Sequence, residues 1–197
     1  MRLIFFLFIL INIIPLSSQS IHKLEYDLES ASTEKQVLQV RFQLTQAYLK
    51  AKNYEKAEAN GKLTHQLAKE LGQTRKAGYA ALFLAKANAG MATKDRKKKQ
   101  RYQSKMKTWL QSAQNLGKQS KDVALVVSAT NLQCELAAKA RDYRKAYQYA
   151  KNTLDFMAQN KALTSPDNQY KTILLLRQQV ENLTFQRDSL KWEIENY

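Results

Sequence analysis

The sequence predicts an all-α fold: a stack of about three helical hairpins followed by a long C-terminal helix carrying coiled-coil heptads. Three observations predict it. The phrase Asn53, Tyr54, Glu55, Lys56, Ala57 recurs as Asp142, Tyr143, Arg144, Lys145, Ala146, each opening with a capping residue and placing an aromatic and an Ala on one helix face. Apolar residues step by three and four from Thr33 to Met157. The last segment then keeps a strict heptad.

The chain has 197 residues, enough for one domain with a sizeable core. Met1 and Arg2 precede an apolar run from Leu3 to Ile14, then Pro15 and small polar residues to Ser20. That run is too short to span a bilayer, which takes ~20 residues, and it fits a secretory signal peptide over 1–20 cleaved to leave Ile21, the alternative being an uncleaved anchor. The mature product is expected in the periplasm or cell envelope, with a helical repeat domain over 21–160 and a C-terminal helix over 161–197. Cys134 is the single cysteine, so no internal disulfide is available and the core must supply the stability. Its neighbours form a Leu/Ala-rich helical face, where a small buried residue is expected.

Ile21 to Ser30 is a short mixed segment, with Leu24 and Leu28 four apart, expected to form a turn or two capping the stack. Helix period then runs through Val37, Val40, Leu44, Ala47, Tyr48 and Ala51 until Asn53. A second stripe, Tyr54, Ala57, Gly61, Leu67, Ala68 and Leu71, ends at Gly72 in a left-handed cap. The third helix, Thr74 to Ala89, is rich in alanine and is expected to close at Gly90. The fourth carries Tyr102, Met106, Trp109, Leu110 and Ala113 up to Gly117. Lys98 and Lys99 would fall close to its apolar stripe, so Lys94 to Arg101 must project from the core as an overhang or a loop. A fifth helix spans Asp122 to Ala140, and a sixth, capped by Asp142, carries Tyr143, Ala146, Tyr147, Ala150, Leu154 and Met157. The first and last pairs superpose without a gap, Leu44 to Thr64 on Gln133 to Thr153; the middle pair fits only with an insertion. Ser165 and Pro166 open the final helix, whose seam is Ile173, Leu176, Val180, Leu183, Arg187, Leu190 and Ile194.

Leu44, Ala47 and Tyr48 with Tyr54 and Ala57, echoed by Leu136 and Ala137 with Tyr143 and Ala146, resemble the tetratricopeptide repeat (TPR). That resemblance implies a right-handed superhelix whose first helices line a concave face that binds peptides or protein segments. The sequence departs from the family at Thr45 and Cys134, which stand where its glycine would, and in its longer spacing of about 40 to 49 residues. Signal peptide, long repeats and coiled coil together resemble the sensory ectodomains of bacterial receptors, particularly repeat-bearing histidine kinases and nucleotide cyclases of Bacteroidetes. No kinase or cyclase segment is present in the sequence.

The resulting expectation is a non-catalytic protein-interaction scaffold. The groove would be lined by Phe42, Gln46, Leu49 and Lys50, by Lys86, and by Asn131, Glu135 and Lys139, a set of amides and cations suited to an acidic peptide. The C-terminal helix lacks a partner face within the chain, which points to a homodimer or to continuation in a longer receptor whose sensor module this would be. The formal charge is +15, concentrated in Lys94, Arg96, Lys97, Lys98, Lys99, Arg101, Lys105 and Lys107, with Asp95 the one acid among them. That cluster suggests a polyanion or membrane-surface contact; secretion and the lack of a base-reading motif argue against nucleic acid. No phosphate loop, metal-spaced His/Cys cluster or nucleophile set appears, so neither enzymatic activity nor a cofactor is expected.

Overall fold

The computed structural model describes residues 16–160, 181–182 and 184–196. Seven α-helices follow in order: α1 (Leu16–Ser30), α2 (Glu34–Lys50), α3 (Tyr54–Glu70), α4 (Thr74–Lys94), α5 (Lys99–Gln119), α6 (Val123–Lys139) and α7 (Tyr143–Gln159), and residues 184–195 are helical as well. No strand occurs among the described residues. Each helix packs on the next in sequence, and α4 also touches α2 and α6 directly. The even-numbered helices α2, α4 and α6 therefore lie side by side. The core follows from that layer: α4 buries eleven of its residues, Ala77 to Met91 among them, between neighbours on both sides.

Four joints share one construction. At each, a residue with positive φ stands between two helices: Lys52 (56°), Gly72 (65°), Lys121 (53°) and Arg141 (56°). The next residue's N–H reaches back to the preceding helix, Asn53 to Tyr48 O (2.9 Å), Gln73 to Ala68 O (2.8 Å), Asp122 to Gly117 O (2.8 Å) and Asp142 to Ala137 O (2.9 Å). This is a Schellman closure. Three of these residues then cap the following helix, since Asn53, Asp122 and Asp142 accept the N–H of Lys56, Leu125 and Lys145. Only one of the four left-handed positions is glycine. Lys52→Gly, Lys121→Gly and Arg141→Gly should each stabilise the fold by about 0.5 kcal/mol, and Gly72→Ala should cost about 1 kcal/mol, measurable as urea midpoints.

The recurring phrase of the sequence opens α3 and α7, where Asn53 and Asp142 cap as expected. The insertion in the middle pair is helical: α4 and α5 have 21 residues each, against 17 in α2, α3, α6 and α7. Two glycines do not end helices as expected. α4 continues through Gly90 to Lys94 because Gly90 serves contact, not termination: a Cβ there would collide with the Tyr54 ring. Gly117 likewise lies inside α5, where a Cβ would stand 2.8 Å from Val126 Cγ2 on α6. Tyr147, expected in the buried stripe of α7, is 45% exposed.

α1 is longer than the one or two turns expected and begins ahead of the expected cleavage point. Ile21, Leu24 and Leu28 pack on Leu44, Tyr48, Ala57 and Ala87. Glu25 accepts the Tyr48 hydroxyl (2.6 Å) and lies 3.5 Å from Lys56 Nζ. The Tyr48 hydrogen bond, opposed by burial and assisted by Lys56, holds the Glu25 carboxyl below its ordinary range. At Glu58, burial pushes upward, but hydrogen bonds from Lys105 of α5 and Lys62 outweigh it and the net shift is also downward. Both carboxyls thus bind protons less readily folded than unfolded. Their contribution is present above the ordinary carboxylate pKa, about 4.3, and is lost as pH falls through the lowered folded values. Tyr48→Phe should cost about 1 kcal/mol at pH 7 and less near pH 3, read from denaturation at both pH values.

The expected seam divides at the limits of the described residues. Ile173, Leu176, Val180 and Leu183 lie outside them. Arg187, Leu190 and Ile194 lie on the helical segment 184–195, and all are exposed, with Phe185 and Trp192 beside them at 75% and 67% exposure.

Candidate binding surfaces

The even-numbered helices bring the expected groove residues into rows. Gln46, Lys86 and Glu135 occupy corresponding positions on α2, α4 and α6, and all three are exposed. Lys50 and Lys139 are exposed near the ends of α2 and α6. Asn131 is half-buried with its Oδ1 atom out of solvent and unpaired among the described residues.

Two residues of the expected set are taken up by packing. Phe42 lies between α2 and α4, its ring 5.1 Å from Phe83 and 6.4 Å, edge-on, from Tyr79. Leu49 packs beside Leu44 and Tyr48 in the cluster that α1 covers. Their apolar side chains close gaps between helices, which is worth more to the fold than exposure to a groove. The layer accordingly offers a polar surface of Gln46, Lys50, Lys86, Glu135 and Lys139.

Beneath it lies a polar network that the sequence reading missed. Asn60, 6% exposed, donates to Arg41 O (2.7 Å) and Thr45 Oγ1 (2.7 Å) and accepts from Arg41 Nη1 (3.0 Å); Thr45 and Thr64 meet at 3.3 Å. Thr130 and Thr153 make the corresponding stitch between α6 and α7 at 2.6 Å, joined by Gln114 of α5. Every buried hydroxyl in these stitches has a partner, so the helices hold a unique register. The signal available in the sequence was the pair Thr64 and Thr153, which superpose in the two hairpins.

The basic cluster maps to the end of α4, the turn 95–98 and the start of α5. Lys94 Nζ donates to Lys52 O (3.0 Å) and sits 4.9 Å over the Tyr54 ring, Lys98 lies near Asp95 (3.7 Å), and Lys105 is tied to Glu58 (3.0 Å). Arg96, Lys97, Lys99, Arg101 and Lys107 are exposed, with no carboxylate in ion-pair range among the described residues.

The remaining candidates are structural. Cys134 is 3% exposed, its thiol donates to Ala146 O (3.4 Å), and burial pushes its pKa up to about 11. A thiol of that kind is protonated at neutral pH. His65 holds Ala77 O through Nδ1 (2.9 Å) and stands edge-on to Trp109, at one wall of an open cleft of about 370 Å³ between α3 and α5. Among the described residues no group of three His, Cys, Asp or Glu could hold a metal, and no helix is long and apolar enough to cross a membrane. Comparison with family models, curated proteins and solved structures returned no match.

Proposed function

We propose that this chain is a non-catalytic protein-interaction scaffold of the periplasm or cell envelope, a TPR-like superhelical stack that takes an extended acidic peptide across α2, α4 and α6. The observation that carries this reading is the exposed row Gln46, Lys86 and Glu135 on three adjacent helices, flanked by Lys50 and Lys139. Amide and ammonium groups on a rigid layer can hydrogen-bond both the backbone and the carboxylates of such a segment. Four tight joints along α2 to α7 support a rigid layer, and binding would cost little ordering of the scaffold.

The test is capture on an immobilised library of acidic peptides. Alanine at Gln46, Lys50, Asn131 and Lys139 together should weaken capture at least about tenfold, since each charge-assisted hydrogen bond is worth roughly 1.5–3 kcal/mol at a desolvated contact. Unchanged capture would remove the groove. The exposed Leu190 and Ile194 support self-association through the C-terminal helix. Sedimentation of the chain with and without residues beyond Asn168 should then differ in association state; equal states would exclude dimerisation through that helix.

A further inference from the structure

The joints alternate between two ends of the stack, and the charge does not. Residues 50–56, 94–101 and 139–145 carry the ends of α2, α4 and α6 into the starts of α3, α5 and α7, so they share one end. These segments hold thirteen Lys or Arg and three carboxylates, and all thirteen cations are exposed. The opposite end, taken generously as 27–37, 67–77 and 116–126, holds six Lys or Arg and five carboxylates. One end is therefore strongly cationic and the other nearly neutral.

The N-terminus approaches the same end. Ser30 closes α1 only a few residues before Glu34 opens α2, whereas Glu25 is already level with Tyr48 and Lys56 at the far end of α2. α1 thus runs antiparallel to α2, and Leu16 leads out at the cationic end. In the sequence the apolar run Leu3 to Ile14 stands directly ahead of it.

We propose that this end of the stack docks on an anionic lipid bilayer, its lysines and arginines engaging headgroup phosphates. Three joints side by side form an end face, which suits a planar surface. Each cation within a Debye length of an anionic surface adds to the attraction, and thirteen on one face sum. The state of the rings in these joints selects lipid over nucleic acid: Tyr54 and Tyr102 are half-buried beneath Lys94 and Lys105, and Tyr143 is half-buried, leaving no open platform for base stacking.

The test is co-sedimentation of the full chain with phosphatidylcholine vesicles, with and without phosphatidylglycerol, over a salt titration. Where the apolar run is retained, its insertion contributes to both vesicles, so the ratio between them reads the cations. That ratio should be large at low salt and collapse as salt rises. Neutralising Arg96, Lys97, Lys99, Arg101, Arg141 and Arg144 to Gln, none of them ion-paired among the described residues, should lower partition onto the anionic vesicles by at least about a hundredfold. Neutralising Lys35, Lys69, Lys76, Lys118 and Lys121 at the other end should change it by less than about threefold, because those side chains lie beyond a Debye length. Equal binding to both vesicles, equal losses in the two variants, or duplex DNA bound more tightly than vesicles through the same six side chains would each overturn the assignment. Circular dichroism of both variants guards against unfolding.

Discussion

Leu125→Ala should lower the unfolding free energy by about 3 kcal/mol, the middle of the range for emptying a fully buried leucine site. Leu125 is the residue on which α4, α5 and α6 converge. A Cβ placed at Gly78 of α4 would overlap its Cδ2 atom, and one placed at Gly117 of α5 would stand 3.2 Å from its Cγ. Two absent side chains thus make room for one large one. Gly78→Ala should therefore cost about 2 kcal/mol by overpacking, since Leu116 Cβ, 3.2 Å from the same point, blocks the other way out. In the double variant the new methyl group enters the space that Leu125 vacated. Its loss should fall short of the sum of the single losses by about 1–2 kcal/mol, a coupling that urea unfolding of the four proteins would measure. Strict additivity would mean that the three helices do not meet at this side chain.

Asp122→Ala should be the most damaging change at a joint, at about 2 kcal/mol, most of it from the cap because the Arg75 side chain is largely exposed. The carboxylate is 9% exposed as a residue and does two things. Its Oδ1 accepts the Leu125 N–H at 2.9 Å, capping α6, and its Oδ2 takes the Arg75 guanidinium of α4. Arg75 stays charged without it, so the loss is the cap plus an ion pair that joins two joints at one end of the stack. Asp122→Asn keeps an acceptor for the cap and gives up only the charge; it should cost less than half as much. Equal losses for Ala and Asn would place the whole effect in the charge.

Helix periodicity made α2, α3, α6 and α7 legible, and the repeated phrase placed two of the joints. Glycine was the unreliable sign. Gly72 does punctuate, but Gly78, Gly90 and Gly117 sit inside helices where neighbours approach, and sequence alone does not separate a left-handed residue from a missing Cβ. The αL residues at the other three tight joints are Lys52, Lys121 and Arg141, which no turn rule would have selected. Register on α2 assigns Phe42 and Leu49 to the groove. Register places a residue on a face, but whether a neighbour covers that face depends on how α1 and α4 are seated. The cationic end was hidden for a related reason: Lys52, the 94–101 cluster and Arg141 are remote in sequence, and they share an end only once the hairpin order is known.

The closure used at three of the tight joints has a consequence for how the molecule comes apart. Asn53, Asp122 and Asp142 each close the helix behind them with a backbone N–H and open the helix ahead with a side-chain oxygen. Melting either helix takes from its neighbour a terminal bond worth about 1 kcal/mol. Fraying at one end of the chain is thereby transmitted across the joint as a penalty on the next helix. Hydrogen exchange should accordingly report opening in linked groups, α2 with α3 and α5 with α6 and α7, rather than helix by helix. In the four-residue turn between α4 and α5 no residue caps both helices: Lys98 caps α5 without a side-chain bond, and Asp95, whose N–H ends α4 on Met91 O, turns its Oδ1 to the N–H of Lys98 within the turn (3.1 Å). There α4 and α5 are held together by their packed faces and not by a shared terminal residue, in the turn that also carries the densest positive charge.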